Sequence, residues 1–236
     1  MIKKDFTLTE VFSPLFDSLG KNAFTLAEIL ITLGIIGVVA AITMPSLIQQ
    51  HRKHVVETRL AKFYSVINQA IVRAEVDYGD KIYWDEMQQG FEEDENGKPD
   101  LTKPKIEPWF NKYLKPYLNL LKVEYSKGPE GRVVTYFTDG SAALFAFSSV
   151  LFFPNAKDYK EEYDKDNEMF NFSREFGGTK MFTFELRPAW GRNLQAYSNN
   201  SPREECKQIT TGERALCTLL IQRNGWKIPK DYPLKF

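Results

Sequence analysis

The 236-residue chain balances 31 Lys plus Arg against 31 Asp plus Glu and holds only two His and two Cys. Zero formal charge argues against a general nucleic-acid binder, and 43% hydrophobic with 26% charged residues excludes a disordered or disulfide-dense chain. The mean hydropathy of −0.38 is that of an ordinary soluble protein, but this average conceals an uneven distribution.

Residues 1–23 set Lys3, Lys4 and Lys21 against Asp5, Glu10 and Asp17. Phe12, Leu15, Phe16 and Leu19 recur at helical spacing, which suits a segment lying on a membrane surface. Phe24 to Met44 then reads FTLAEILITLGIIGVVAAITM, with Glu28 as its sole charge. As a helix this run would be roughly 31 Å long, about the hydrocarbon thickness of a bilayer. A core helix of that length would carry a polar side, and only Thr25, Glu28, Thr32 and Thr43 interrupt this one.

Such a segment has three possible fates. It could be a secretory signal peptide cut after Val39-Ala40-Ala41, a permanent anchor, or a segment trimmed ahead of the apolar run and kept in the membrane. Lys3, Lys4 and Lys21 before the run are matched by Arg52, Lys53, Arg59 and Lys62 after it, so loop charge leaves the orientation open. Glu28 discriminates among the fates, because an ionisable group inside an apolar helix is expensive unless partnered. A cut before Phe24 would create an amine about 6 Å along the axis from Glu28. In a bundle of identical helices, that amine on one subunit could neutralise Glu28 on its neighbour and set the register.

Lys21-Asn22-Ala23-Phe24-Thr25-Leu26-Ala27-Glu28, followed by ILITLGIIGVVAAITMP, closely resembles the cleavage and methylation segment of type IV prepilins and type II secretion pseudopilins. The resemblance covers about Gly20 to Gln50. It implies a leader over 1–23, cleavage between Ala23 and Phe24 by a membrane prepilin peptidase on the cytoplasmic side, and N-methylation of Phe24. The family usually has Gly before the cut, and Ala23 departs from that. The earlier Phe6-Thr7-Leu8-Thr9-Glu10 echoes the motif, but no apolar run follows it, and it is read as no cleavage site. Gly37 and Pro45 stand where family members carry helix-loosening residues. Pro45 lacks a backbone donor and is expected to kink or interrupt the helix, and Gly34 and Gly37 each cost ~1 kcal/mol against Ala. In lipid the same glycines let helices approach closely.

Beyond Pro45, Val56, Leu60, Phe63, Ile67, Ala70 and Ala74 recur at three- and four-residue steps, which predicts an amphipathic helix to Tyr78 stopped by Gly79. Lys81 to Lys105 is loop-like and acidic. Glu92, Asp94 and Asn96 alternate as calcium ligands would about Gly97, but Lys103 stands where the bidentate acid is required, so the loop reads as a solvated face. Asp164, Asp166 and Glu168 form a second acidic cluster read the same way. Pro108 opens a short helix with a core face of Trp109, Phe110, Tyr113, Leu114, Tyr117, Leu118 and Leu121. Val133–Thr138 and Ser141–Phe147 flank Asp139-Gly140, a two-residue hairpin signal, and Met181–Leu186 and Cys217–Gln222 are further strand candidates.

The order, a long helix and then an antiparallel sheet, predicts an α+β fold. Cys206 and Cys217 would form a disulfide in an exported domain, worth ~3 kcal/mol in the chain-entropy model, and would be free thiols in the cytosol. Cys217-Thr218-Leu219-Leu220-Ile221 with Gly225-Trp226-Lys227-Ile228 resembles the C-terminal end of many pilin-like proteins. That second resemblance implies that the cysteine-bounded region belongs to the variable edge of a pilin head. His51 and His54 lie one helical turn apart with no ligand set to complete a metal site, and no nucleophile elbow, P-loop or dinucleotide fingerprint occurs.

The expected protein is therefore a non-enzymatic pilin-like subunit without metal or cofactor. Its parts are a leader (1–23), a transmembrane assembly helix (24–45) and an exported head (46–236). The resemblance implies a single-pass inner-membrane location and four partners: the prepilin peptidase/methyltransferase, other pilin or pseudopilin subunits, the inner-membrane assembly platform and membrane lipid. No nucleic acid is expected, although a DNA-uptake pseudopilin is a variant within the class. The alternative is a membrane-tethered extracytoplasmic binding module, which the aromatic content around Trp84, Trp109 and Trp190 permits.

Overall fold

The computed structural model describes residues 25–125, 131–160, 163–164, 169–170, 176–197, 206–207 and 214–236. The chain divides into two compact units, Met1–Gln49 and Gln50–Phe236.

Helix α1 spans Leu26–Tyr78. It runs through Pro45, so of the expected kink or interruption the interruption does not occur. Proline removes a single i→i−4 hydrogen bond, and here the turns on either side remain helical. Between Thr25 and Gln50 every side chain is exposed except Ala40, which is half-buried. The far end stops where the sequence indicates: Gly79 adopts φ +79° and its N–H donates to the Glu75 carbonyl at 3.0 Å.

In the second unit α1 buries Val56, Leu60, Phe63, Ile67, Ala70, Ile71 and Ala74. The stripe lies on a six-stranded sheet ordered β10-β9-β6-β5-β4-β3 and antiparallel throughout. Its strands are β3 (Leu120–Tyr125), β4 (Val133–Phe137), β5 (Ala142–Phe145), β6 (Ser149–Phe153), β9 (Phe182–Arg187) and β10 (Arg192–Ala196). A separate hairpin, β1 (Phe91–Glu93) with β2 (Pro99–Pro104), precedes the short helix α2 (Glu107–Tyr113). A small pair, β7 (Tyr163–Asp164) with β8 (Met169–Phe170), lies between β6 and β9. The α+β order read from the sequence is the observed one.

Strand alternation divides the sheet's side chains between two cores. Val133, Phe137, Phe145, Val150, Phe152, Phe184 and Leu186 meet the α1 stripe, while Val134, Leu144, Leu151 and Phe153 form a second cluster with Tyr159 and Phe176. Phe63 is the centre of the first core. Its ring stacks on Phe152 at 4.3 Å, meets Phe137 edge-on at 5.7 Å and tilts on Phe184 at 5.4 Å. Polar contacts fix the helix to the sheet. Arg59 donates to the carbonyls of Asp139 and Pro154, and Lys62 Nζ lies 2.9 Å from Asp139 Oδ2.

Two local readings are corrected. The β4–β5 connection has three residues, not two: Phe137 N–H bonds the Ser141 carbonyl, Gly140 N–H bonds the Phe137 carbonyl, and Gly140 takes the left-handed position at φ +80°. Cys217–Gln222, read as a strand, begins α3 (Cys217–Arg223). Gly225 at φ +66° ends that helix, with Trp226 N–H to Ile221 O at 2.9 Å and Gly225 N–H to Gln222 O at 3.0 Å. This is a Schellman stop, and Trp226 and Ile221 both join the main core.

Candidate functional site: the start of helix α1

The first described residues build a closed hydrogen-bond ring. Thr25 N–H donates to Glu28 Oε2 at 2.8 Å, Thr25 Oγ1 donates to the same oxygen at 2.9 Å, and Glu28 N–H reaches Thr25 Oγ1 at 3.2 Å. With Leu26 as the first helical residue, Thr25 is the N-cap and Glu28 the third residue, so the two form a capping box. The sequence signal for this box is T-x-x-E ahead of an apolar run, which reading Glu28 as a charge in an apolar segment does not reveal. Both bonds to the carboxylate use Oε2, and Oε1 accepts nothing from the described residues.

Ala23 and Phe24, and with them the expected cut and methylation site, lie outside the described residues. Gly34 and Gly37 face open space, since a Cβ added at either would meet nothing within 4 Å. α1 is the one described helix long and apolar enough to cross a membrane, and the window that qualifies has no buried residue. What the site presents is a capped carboxylate followed by an exposed helix surface of Leu, Ile and Val as far as Ile48.

Cys206 and Cys217 form the expected disulfide, with both residues buried and their Cα atoms 4.8 Å apart. Gly178 packs under it at φ +78°, where a Cβ would stand 2.5 Å from Cys217 Sγ. The segment after α3 returns along the fold. Tyr232 Oη donates to the Gly178 carbonyl at 2.6 Å, Lys227 Nζ pairs with Glu57 Oε2 at 2.9 Å, and Ile228 N–H reaches Glu57 Oε1 at 2.8 Å. Burial pushes the Tyr232 hydroxyl well above the usual tyrosine range. The region that the second resemblance singled out is thus tied to α1, to β9 and to the disulfide.

The remaining polar groups are arranged structurally. His51 and His54 are exposed, and no group of three metal-ligating side chains occurs among the described residues. The acidic loop is the β1–β2 hairpin, where Asp94 Oδ1 accepts the N–H groups of Asn96 at 2.8 Å and Lys98 at 2.9 Å, and so serves the turn. Asp164 lies in β7, while Asp166 and Glu168 lie outside the described residues. Glu185 is the charged residue that the core buries, and it is met by Arg187 at 2.7 Å, Arg192 at 3.7 Å and Gln195 at 3.0 Å. Trp84 and Trp109 are core residues, whereas Trp190 is 67% exposed beside a cleft of about 210 Å³ with Arg187 stacked 4.6 Å from its ring. A larger cleft of about 760 Å³ is lined by Arg52, Lys157, Lys180 and Lys235.

These elements define a class: an α+β chain whose long N-terminal helix is apolar and uncovered at its start and packed on an antiparallel sheet further on. Over residues 46–236 the sequence matches a family described as a family of unknown function, DUF6613, and the chain belongs to that family. No curated protein and no solved structure matches it.

Proposed function

We propose that the chain is a pilin-like structural subunit. It is cut before Phe24 by a prepilin peptidase, methylated at the new amine, held in the cytoplasmic membrane by the first part of α1, and assembled through that helix into a type IV pilus or type II secretion pseudopilus. The observation that carries this reading is the lone carboxylate at the start of an apolar helix whose surface is bare from Leu26 to Ile48. The head carries a disulfide, which belongs with an oxidising compartment beyond the membrane. In this reading the chain is no enzyme, and its partners are the processing peptidase, other pilin or pseudopilin subunits, the assembly platform and lipid. The prepilin resemblance supplies the processing step, and the free Oε1 of Glu28 supplies a place for a neighbour's amine while Oε2 keeps the cap.

The capping box makes the test sharper. Gln serves at the third helical position as Glu does, so Glu28→Gln keeps the cap and removes only the charge. Thr25→Ala does the reverse. Intact-mass analysis of the chain from cells that have the peptidase should give a mature form beginning with N-methyl-Phe24. Glu28→Gln should insert normally yet fail to enter filaments, and Thr25→Ala should still enter them. A mature chain beginning at Ile42, or filament entry by Glu28→Gln, refutes the reading.

A further inference from the structure

The head has two exposed patches, one mainly acidic and one mainly basic, and most of their charges have no ion-pair partner among the described residues. The first is the β1–β2 hairpin, which Phe91 anchors in the core while Glu92, Glu93 and Glu95 are exposed. Among the described residues none of these three carboxylates has an ion-pair partner, and Asp94 alone is spent on the turn. The second is the 760 Å³ cleft, in the range of cavities that bury a whole ligand. His51, Arg52, Lys157 and Lys235 line it with no ion pair among the described residues, and the single acidic side chain of its lining, Asp158, already faces Lys180 at 4.0 Å.

We propose that the acidic hairpin of one copy docks in the basic cleft of the next. The charges complement each other, and a neutral chain leaves no net repulsion between copies. Because the two patches differ, the contact is heterologous: each copy offers a hairpin to one neighbour and a cleft to another. Repetition of such a contact yields a ring or an open helical array. The inference deepens the subunit reading by naming the head surfaces through which copies meet.

Zero-length carbodiimide cross-linking tests it on the full chain in membranes. Cells expressing isotopically light and heavy copies should give inter-copy links between residues 92–95 and Lys157 or Lys235. Reversing the hairpin (Glu92→Lys, Glu93→Lys, Glu95→Lys) or the cleft (Arg52→Glu, Lys157→Glu, Lys235→Glu) should lower inter-copy linkage roughly tenfold when either variant is alone, since several pairs turn repulsive together. Mixing the two variants makes both directions of contact attractive again and should restore linkage to within about threefold of the natural chain. An intact Cys206–Cys217 bond serves as the folding check. Should a reversal fail that check, Glu92→Gln, Glu93→Gln and Glu95→Gln replace it, with an intermediate loss expected. Absence of inter-copy links in the natural chain, or failure of the mixture to recover, overturns the docking. Either result stands whether or not the leader is removed, so it is distinct from failure of the processing test.

Discussion

Phe63 is the residue on which the union of helix and sheet can be tested quantitatively. It is 4% exposed, and its ring meets three phenylalanines from β4, β6 and β9. Phe63→Ala removes that surface and leaves a cavity that rigid strands cannot close, a loss of about 3–5 kcal/mol. Each aromatic pair adds ~0.5–1.5 kcal/mol beyond area burial, which puts the expected value at about 4–5 kcal/mol. For a domain of this size that corresponds to a fall of roughly 8–20 °C in Tm. The assay is urea unfolding of the full chain in detergent followed by tryptophan fluorescence, because Trp226 packs on Tyr64 at 4.8 Å and Phe184 at 6.2 Å and so reports on this core. Val76→Ala, at a position 82% exposed on the same helix, should change stability by less than ~0.5 kcal/mol. A Phe63→Ala loss below about 1 kcal/mol, or an equal effect from Val76→Ala, would refute the packing of α1 through this ring.

Two further perturbations address the ties around the core. Cys206→Ser opens a loop spanning a separation of 11 residues, for an expected loss of ~3 kcal/mol; reductant should destabilise the natural chain similarly and the variant not at all. Burial pulls the Asp139 carboxyl upward, but the bonds from Ser141 and Lys62 outweigh it and hold the group below its ordinary value of 3.8. A carboxyl depressed by folding stabilises above its unfolded value and loses that contribution as pH falls through the folded one. Asp139→Asn should therefore flatten the acid limb of the stability curve below about pH 4, and parallel curves for the two proteins would exclude the clamp.

The helix was legible because its stripe recurs over many turns, and every position read from Val56 to Ala74 is buried; Ile71 joins them one step beside Ala70. Short apolar runs were less informative. Cys217–Gln222 is β-compatible in composition, and what makes it a helix is the Gly225 stop that lets Trp226 return to the core. Helical spacing places Leu121 on the face of the Pro108 helix, but that helix ends at Tyr113 and Leu121 lies in β3, where it is 74% exposed. The change of period from 3.6 to 2 put it on the opposite face. The β6–β9 pairing joins Ser149 to Glu185 across an inserted segment, a register that no local pattern encodes.

The glycines separate what this chain needs for itself from what it offers to something else. Gly178 has an internal reason: its φ is positive and the disulfide sulfur occupies the place of a side chain. Gly34 and Gly37 have none, since they sit in regular helix with open space around them, and each weakens the helix by ~1 kcal/mol relative to Ala. The bare Leu, Ile and Val surface beside them is likewise covered by nothing among the described residues. A segment with helix-weakening residues and exposed apolar surface is suited to an apolar environment. Small residues set in an apolar helix are what close helix–helix approach in a lipid environment requires. Helix α1 thus carries two kinds of information. From Val56 onward its side chains are explained by the sheet they cover, and from Leu26 to Ile48 they are exposed and explained by nothing among the described residues.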